Sequence, residues 1–343
     1  MRRITIADIA RHAGVSTGAV SYALNDRPGV SAATRERIRA VATDLGWEPS
    51  SAARSLSGAR TETVGLTLAR DPSTLGIESF YMQFVAGIES VLSPRGYALL
   101  LQVVPDPAAE LTALRRWRAA RRVDGVIVTD PRPDDPRVAW LSQPDTLPAV
   151  VVGDTSLAGG LTNVWTDDAA AIAESLRYLR ALGHHRVARV AGLEDLGHTG
   201  IRDRAFLAET RALGLEGVIV RADYLPEAGA SATRRLLTDA DRPSAIIYDN
   251  DVMGLAGLGV AAELGLQVPA DVSLIAWDDS PLCQATYPAL SALSHDVVGY
   301  GAHAARLLFG VLDEQPPRHE LDSVPSLIPR GTTGRPRARR APA

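Results

Sequence analysis

The sequence predicts a small all-α module at the N-terminus followed by a larger α/β domain built on parallel sheets. Two changes along the chain predict this. Up to Gly46 the apolar residues recur at helical spacing between turn signals, whereas from Thr63 runs of four to six apolar residues alternate with helix-length amphipathic stretches. The charge changes over the same interval. The whole chain carries 36 basic residues, all arginine, against 40 acids, for a net charge of −4. Residues 1–60 nevertheless hold nine Arg against five Asp or Glu, and residues 61–343 hold 27 against 35. A short basic end on a long acidic remainder is the pattern of a module made for a polyanion.

The first 46 residues read as three short helices. Thr5 and Asp8 form a capping-box variant, in which the hydroxyl takes a free first-turn amide and the carboxylate reaches back to the cap. Ile6, Ile9, Ala10 and Ala13 then share one face. Gly14 can take the left-handed conformation that ends a helix, and Ser16 caps the next, Thr17 to Leu24. Two helices joined by so short a Gly-containing turn are a helix-turn-helix pattern. Residues 25–29 make a loop, and Ser31 caps a third helix that runs to Leu45 with Ile38, Val41, Ala42 and Leu45 as its buried stripe. Gly46 ends it. Residues 50–60 have helical spacing, but over about two turns, too short to be stable alone where isolated helices need about 12–15 residues. The segment therefore needs a partner to fold.

Beyond Thr63 the strand candidates are Val64–Leu68, Ala98–Val103, Gly125–Thr129, Ala149–Val152, Val187–Ala191, Gly217–Val220, Ala245–Tyr248 and Val272–Trp277. Helical patterns lie between them at Phe80–Leu92, Ala108–Arg122, Asp167–Leu182, Ala230–Leu237 and Val252–Leu264. Continuous apolar strands alternating with helices mean parallel sheets covered on both faces. Eight strands fit one large sheet or two lobes equally well. The Gly-, Pro- and Arg-rich end reads as a disordered basic tail.

Other classes fall away. The single Cys283 excludes an internal disulfide framework and an all-cysteine zinc site, and suits a reducing cytoplasm. The N-terminus interrupts its apolar residues with Asp8, Arg11 and His12, so it lacks a signal-peptide core. No apolar run approaches the roughly 20 residues of a membrane span. A cytoplasmic protein without membrane attachment is expected.

Several stretches stand out together: Thr5-Ile-Ala-Asp-Ile-Ala, Ala13-Gly-Val-Ser, Val20-Ser21, Leu24-Asn25, Val30-Ser31, Thr34-Arg35 and Ala52-Ala53-Arg54-Ser55-Leu56. Later come Gly192, Arg202, Phe206, Asn250-Asp251, Trp277-Asp278-Asp279, Pro288-Ala-Leu-Ser-Ala-Leu and Leu327-Ile-Pro-Arg-Gly-Thr-Thr. In this order they resemble the lactose-repressor (LacI) family of bacterial transcription regulators. The resemblance implies a helix-turn-helix headpiece at 1–49, a hinge helix at 50–60 and a two-lobed, periplasmic-binding-protein-like (type I) effector domain at 61–331. Lobe 1 would take about 61–163 and 295–325, lobe 2 about 164–294 and 326–331, leaving 332–343 as the tail. It also implies a homodimer on a pseudo-palindromic operator. The Arg-rich C-terminus lacks the leucine heptad of the family's tetramers.

The same resemblance assigns partners to residues. At the start of the second helix, Thr17, Gly18 and Tyr22 occupy base-reading positions. Gly18 departs from the Gln or Arg of many relatives and has no side chain. Thr17 is then left to a thymine methyl or a phosphate, and Tyr22 to a base edge, although Tyr22 could instead pack in the helix. Ser16, Ser21, Asn25, Ser31 and Thr34 are placed toward phosphates, with Ser16 and Ser31 caps in either case, and Thr5 is placed among the DNA-binding residues as well. In the hinge, Leu56 would wedge between base pairs in the minor groove, Ala53 would allow close helix approach and Arg54 would follow phosphates or a narrow groove.

For the effector, the resemblance makes Arg202, Asn250 and Asp278 the polar core. A guanidinium fork, an amide that donates and accepts, and a carboxylate that takes hydroxyl protons together suit a polyhydroxylated, sugar-like ligand. Asp154 and Tyr224 match further positions, Phe80, Tyr81 and Trp165 can stack on a flat ligand face, and His295 sits at a lobe crossing. An Arg and an Asp in a cleft can also simply pair, and Trp165 can be core. No cofactor or metal is implied. Whether the effector releases or promotes DNA binding is left open by the sequence.

Two rivals remain, a parallel-sheet enzyme and a sugar-binding protein without a DNA role. Gly254, Gly257 and Gly259 follow a strand, but as G-x-x-G-x-G rather than the dinucleotide fingerprint. His184-His185 has no partner pattern for a metal, and no G-x-S-x-G elbow is present. The headpiece argues against the second rival.

Overall fold

The computed structural model describes residues 4–47 and 60–337. Ala53, Arg54, Leu56 and nearly all of the expected hinge helix lie outside the described residues, as do residues 338–343. The chain divides into two compact units, Met1–Thr61 and Glu62–Ala343.

The first unit holds α1 (Ile6–Ala13), α2 (Thr17–Leu24) and α3 (Ala32–Asp44). The capping box at Thr5 is complete: Asp8 N–H donates to Thr5 Oγ1 (3.3 Å), and Thr5 N–H donates to Asp8 Oδ2 (3.0 Å). Gly14 closes α1 at φ 64°, and Ser16 and Ser31 cap α2 and α3. Ile9, Val20, Ala23 and Ile38 are fully buried and fasten the three helices together.

The second unit begins with β1 (Thr63–Ala69), α4 (Pro72–Ile77), α5 (Ser79–Leu92), β2 (Ala98–Val104), α6 (Pro107–Ala119), β3 (Gly125–Val128), α7 (Pro136–Leu141), β4 (Ala149–Val152) and β5 (Thr162–Thr166). There follow α8 (Asp168–Leu182), β6 (Arg186–Ala191), α9 (Gly197–Ala212), β7 (Glu216–Arg221), α10 (Pro226–Leu237), β8 (Ala245–Tyr248), α11 (Asp251–Glu263), β9 (Ser273–Trp277), α12 (Pro281–Ala285) and β10 (Ser291–Ser294). The chain then returns through α13 (Val297–Leu312), β11 (His319–Ser323) and β12 (Ser326–Ile328).

Two six-stranded sheets result, ordered β11-β5-β4-β3-β1-β2 and β12-β10-β9-β8-β6-β7, parallel except for the β10–β12 pair. The choice left open by the strand pattern is therefore settled as two lobes. The expected eight strands become twelve, because β5, β10, β11 and β12 are short and none holds an apolar run of more than two residues. Helices α5 and α13 cross at Gly87 and Gly301, where a Cβ would run into the backbone at Val298 and Phe84. That crossing carries the returning helix onto the core of the first lobe.

Two boundaries are corrected. β5 belongs to the first sheet through Thr166, so the chain crosses at Asp167 rather than between 163 and 164. The tail does not begin at 332. Thr332 is fully buried, its hydroxyl accepts from Ser291 N–H (2.8 Å), its carbonyl accepts from Leu274 N–H (2.9 Å), and Arg337 N–H donates to the Ala270 carbonyl. A basic composition did not prevent this segment from satisfying the margin of the second lobe. His184 is part of the same arrangement, its ring nitrogens bonded to Ser244 Oγ (2.8 Å) and the Gly334 carbonyl (3.0 Å). Gly254 and Gly257 give α11 its close approach to Tyr248.

Candidate functional site

A cleft of about 120 Å³ opens between the lobes of the second unit. The C-terminal ends of β1, β3, β4, β6, β8 and β9 point their following loops into it, as expected for ligand sites on parallel sheets. All nine residues expected around an effector line it: Phe80, Tyr81, Asp154, Trp165, Arg202, Tyr224, Asn250, Asp278 and His295.

Their states differ. Arg202, on α9, lays its guanidinium 3.4 Å over the Trp277 ring and donates from Nε to Asp168 Oδ2 (2.7 Å). The expectation that an arginine could simply pair is met by Asp168, yet the stacked fork still faces the cleft. Asn250 caps α11: Oδ1 accepts from Met253 N–H (2.9 Å), while Nδ2 donates to Glu78 Oε1 (2.6 Å) and the Tyr224 carbonyl (2.9 Å). Both amide protons are engaged, so a ligand reaching Asn250 must replace one of these partners.

Asp278 is the opposite case. No hydrogen bond to its carboxylate is made among the described residues, and its nearest polar neighbour of opposite character is His295 Nε2 at 3.9 Å. Burial, with the Asp251 carboxylate near by, pushes its pKa well above the usual carboxylate range. Its backbone is left-handed at φ 64°, as are Asp130 (50°) and Tyr224 (72°). For a bulky tyrosine this is an uncommon conformation that the surrounding structure must enforce.

Tyr81 differs from the expected stacking role. It is 4% exposed, and its hydroxyl takes the Arg70 Nε proton (2.7 Å) and donates to Asp130 Oδ2 (2.8 Å). Phe80, packed edge-on to it, and Trp165 remain partly open. Asp154 spends Oδ1 on Ser156. His295 packs against Tyr300, its Nδ1 buried without a partner.

Sequence reasoning missed the other half of the site. Burial would raise Asp130, but Arg70 against it (2.9 Å), together with His198, the Tyr81 hydrogen bond and Arg137, outweighs that and brings it down to about 2. Arg70 also lies 5.1 Å from the Tyr224 ring in the opposite lobe. His198 is driven down to about 4 by burial and by Arg202, so its imidazole is neutral where it meets the Tyr224 hydroxyl (2.8 Å). Glu78 is pushed up to about 7 by burial. Glu78–Asn250, Arg132–Asp195 (2.7 Å) and Gly197 N–H to the Pro131 carbonyl (2.9 Å) tie lobe to lobe. Among the described residues no group of three or more His, Cys, Asp or Glu side chains could hold a metal ion, and no helix is long and apolar enough to cross a membrane.

On the first unit, Ser16, Thr17, Gly18, Tyr22, Asn25 and Ser31 are all exposed, and Ser21 and Thr34 are partly so. Tyr22 projects from α2, 45% exposed, with one ring edge against Gly29, so the packing alternative accounts for only part of it. Asn25 Nδ2 donates to the Ser21 carbonyl (2.8 Å), and the Ser31 and Thr34 hydroxyls bond to each other (2.9 Å). Thr5 is exposed as well, with its hydroxyl engaged by Asp8 in the capping box.

A helix-turn-helix unit joined to a closed two-lobed cleft defines a ligand-responsive DNA-binding protein. The family models agree with both parts: residues 5–50 match bacterial regulatory proteins of the lacI family, and residues 176–333 match the periplasmic binding protein-like domain. Among curated relatives, the transcriptional regulator CelR of Thermobifida fusca is 31% identical over 90% of this chain and 91% of its own. The transcriptional repressor PurR of Erwinia tasmaniensis is 28% identical over 95% and 96%. Solved structures that are similar include a LacI-family regulator from Bifidobacterium animalis (38% identity, TM-score 0.75, 80% of this chain and 99% of that one). The Lac repressor dimer bound to operator matches at 25% identity with TM-score 0.85 over 97% and 100%. A CelR–cellobiose complex matches at 28% identity and TM-score 0.73 over 96% and 100%. The chain belongs to the LacI family of bacterial transcription regulators.

Proposed function

We propose that this regulator binds a pseudo-palindromic operator as a homodimer and that a neutral, hydroxyl-rich effector such as a sugar, held in the interlobe cleft, sets its operator affinity. The observation that carries the effector reading is the carboxyl balance of the cleft. Arg70, Arg189 and Arg202 are matched by Asp130, Asp249 and Asp168, which leaves Asp278, Asp154 and Glu78 without a cation. Carboxyl groups exchange hydrogen bonds with ligand hydroxyls while the faces of Trp165 and Phe80 cover the ring, and neither lining arginine is left over for a phosphate. The CelR complex with cellobiose supports the same class.

Dimerisation is supported by apolar side chains left outside. Edge strand β2 exposes Leu101 and Val103, and the second lobe exposes Leu282 and Tyr287. Thr17 and Tyr22 are read as base-contacting and Ser16, Ser21, Asn25, Ser31 and Thr34 as phosphate-contacting residues. No catalytic role is assigned, and the cytoplasm is the expected location. Coupling follows from linkage: a ligand shifts DNA affinity by the ratio of its affinities for the two lobe arrangements.

A thermal-shift series comparing neutral sugars, sugar phosphates and nucleosides tests the reading, because a ligand of the folded state raises its stability. Stabilisation by a neutral sugar and a changed operator affinity in its presence are expected. Stabilisation by phosphorylated compounds alone would sink it.

A further inference from the structure

The arginine run Arg115-Arg-Trp-Arg-Ala-Ala-Arg-Arg122 has no part in the cleft. Five arginines in eight residues stand out in a unit whose acids exceed its bases. Trp117 is fully buried, its ring edge 2.5 Å from where a Cβ on Gly65 would lie, and this contact presses α6 onto the first sheet. With that face fixed, Arg115, Arg116 and Arg122 are exposed and Arg118 is partly so. Arg116 donates to Gln102 Oε1 (3.1 Å) and Arg118 to the Asp145 carbonyl (3.0 Å), both uncharged acceptors. Among the described residues none of these four arginines makes an ion pair, whereas most other arginines of the unit do.

The macrodipole of α6 accounts for cations in its last turn, where Arg116 and Arg118 lie. It does not account for Arg121 and Arg122 beyond the helix end, or for Arg115. The position of the patch is informative. Two residues past Arg122, Asp124 accepts from Glu62 N–H (2.8 Å) and donates its own N–H to the Thr63 carbonyl (2.8 Å). The patch thus adjoins the point where the chain enters from the DNA-binding unit.

We infer that Arg115, Arg116, Arg118 and Arg122 form a second, sequence-independent DNA contact, which meets phosphates of the duplex flanking the operator. This rests on the regulator reading and adds to it a role for the effector domain. Unpaired guanidinium forks suit phosphate oxygens, and the charge is opposite to that of the surrounding domain.

The test uses the full-length protein with two duplexes, one limited to the core operator and one extended on both sides, titrated over a range of salt. Wild type should bind the extended duplex more tightly and with a steeper salt dependence. The triple substitution Arg115→Gln, Arg116→Gln, Arg122→Gln should abolish that difference. The slope of log K against log salt should then fall by about 0.9 per lost phosphate contact, or about 2 or more per dimer. Binding to the core duplex should be retained. The Lys versions of the same three positions should restore most of the flank effect, as a fold defect would not. Equal binding of both duplexes by wild type, or equal salt slopes for wild type and the Gln variant, would overturn the inference and leave the patch to an acidic protein partner. Failure of wild type to bind either duplex would instead overturn the regulator reading beneath it.

Discussion

Asn250 donates to the Glu78 carboxyl across the cleft at 2.6 Å, so a side chain of one lobe occupies the amide that the other lobe offers to a ligand. Asn250 itself is fixed as the cap of α11. The closed arrangement therefore has a built-in hydrogen bond that ligand entry must exchange rather than add to. A ligand hydroxyl that merely replaces Glu78 gains little from this position, and the greater gain lies at Asp278.

The Glu78 contact also makes stability depend on pH. Burial raises Glu78 to about 7, against 4.5 for the exposed side chain. A carboxyl whose pKa is higher when folded contributes stability fully below about pH 4.5 and loses it as pH rises through 7. At about 1.4 kcal/mol per unit this amounts to at most about 3 kcal/mol. Glu78→Gln keeps an acceptor for Asn250 and removes the titration. Its melting temperature should therefore fall less than that of wild type between pH 5 and 8, with Glu110, also raised to about 7, and Asp278 adding to the residual slope and His198, held down to about 4, opposing it. Parallel wild-type and variant curves by calorimetry would refute this.

Arg202 and Asp168 form a buried pair whose members should not be removable singly. Arg202→Ala leaves the Asp168 carboxylate buried beside an empty indole face, a cost of about 3–5 kcal/mol. Adding Asp168→Asn should recover a large part of it. Urea denaturation of the two single variants and the double variant measures the coupling, and additive losses would show that the pair is not the mechanism.

The legibility of these features in the sequence followed local signal. The capping residues Thr5, Ser16 and Ser31 announce three helices because each bonds within its own turn. Six of the eight apolar strands announce themselves because both of their faces are buried, and the edge strands β2 and β7 because they too keep an apolar run. β5 (TNVWT) and β11 (HELDS) do not, since they pair with each other near a sheet edge across more than 150 residues of chain, and half-exposed polar strands lack an apolar run. The cleft residues read from family resemblance all converge. Arg70, Glu78, Asp130, Asp168 and His198 escaped because each becomes distinctive only through a partner from another segment. Glu78 is an ordinary residue before a helix until Asn250 is brought to it.

The crossing of α5 and α13 should be intolerant of any side chain. A Cβ at Gly87 would meet the Val298 carbonyl oxygen, and one at Gly301 would meet that of Phe84. Backbone cannot step aside as a flexible side chain can. Gly301→Ala should cost at least the ~1–3 kcal/mol of ordinary overpacking. Gly259→Ala, on the open face of α11 where nothing lies within 4 Å, should be neutral or stabilising, since Ala exceeds Gly in helix propensity by about 1 kcal/mol. Urea midpoints in the reverse order would contradict the packing described.

In the headpiece, stability and recognition should separate between Ser16 and Tyr22. Ser16→Ala removes the hydroxyl that accepts from Ala19 N–H (3.2 Å), which should cost about 1 kcal/mol and weaken binding to every DNA sequence alike. Tyr22→Phe removes an exposed hydroxyl that makes no hydrogen bond among the described residues, so the melting temperature should hold. If that hydroxyl reads a base edge, preference for operator over scrambled duplex should fall by about 1–3 kcal/mol at fixed salt, with non-specific affinity unchanged. A Tyr22→Phe protein with undiminished preference would place recognition on Thr17 and on the shape of the duplex, because Gly18 has no side chain to contribute.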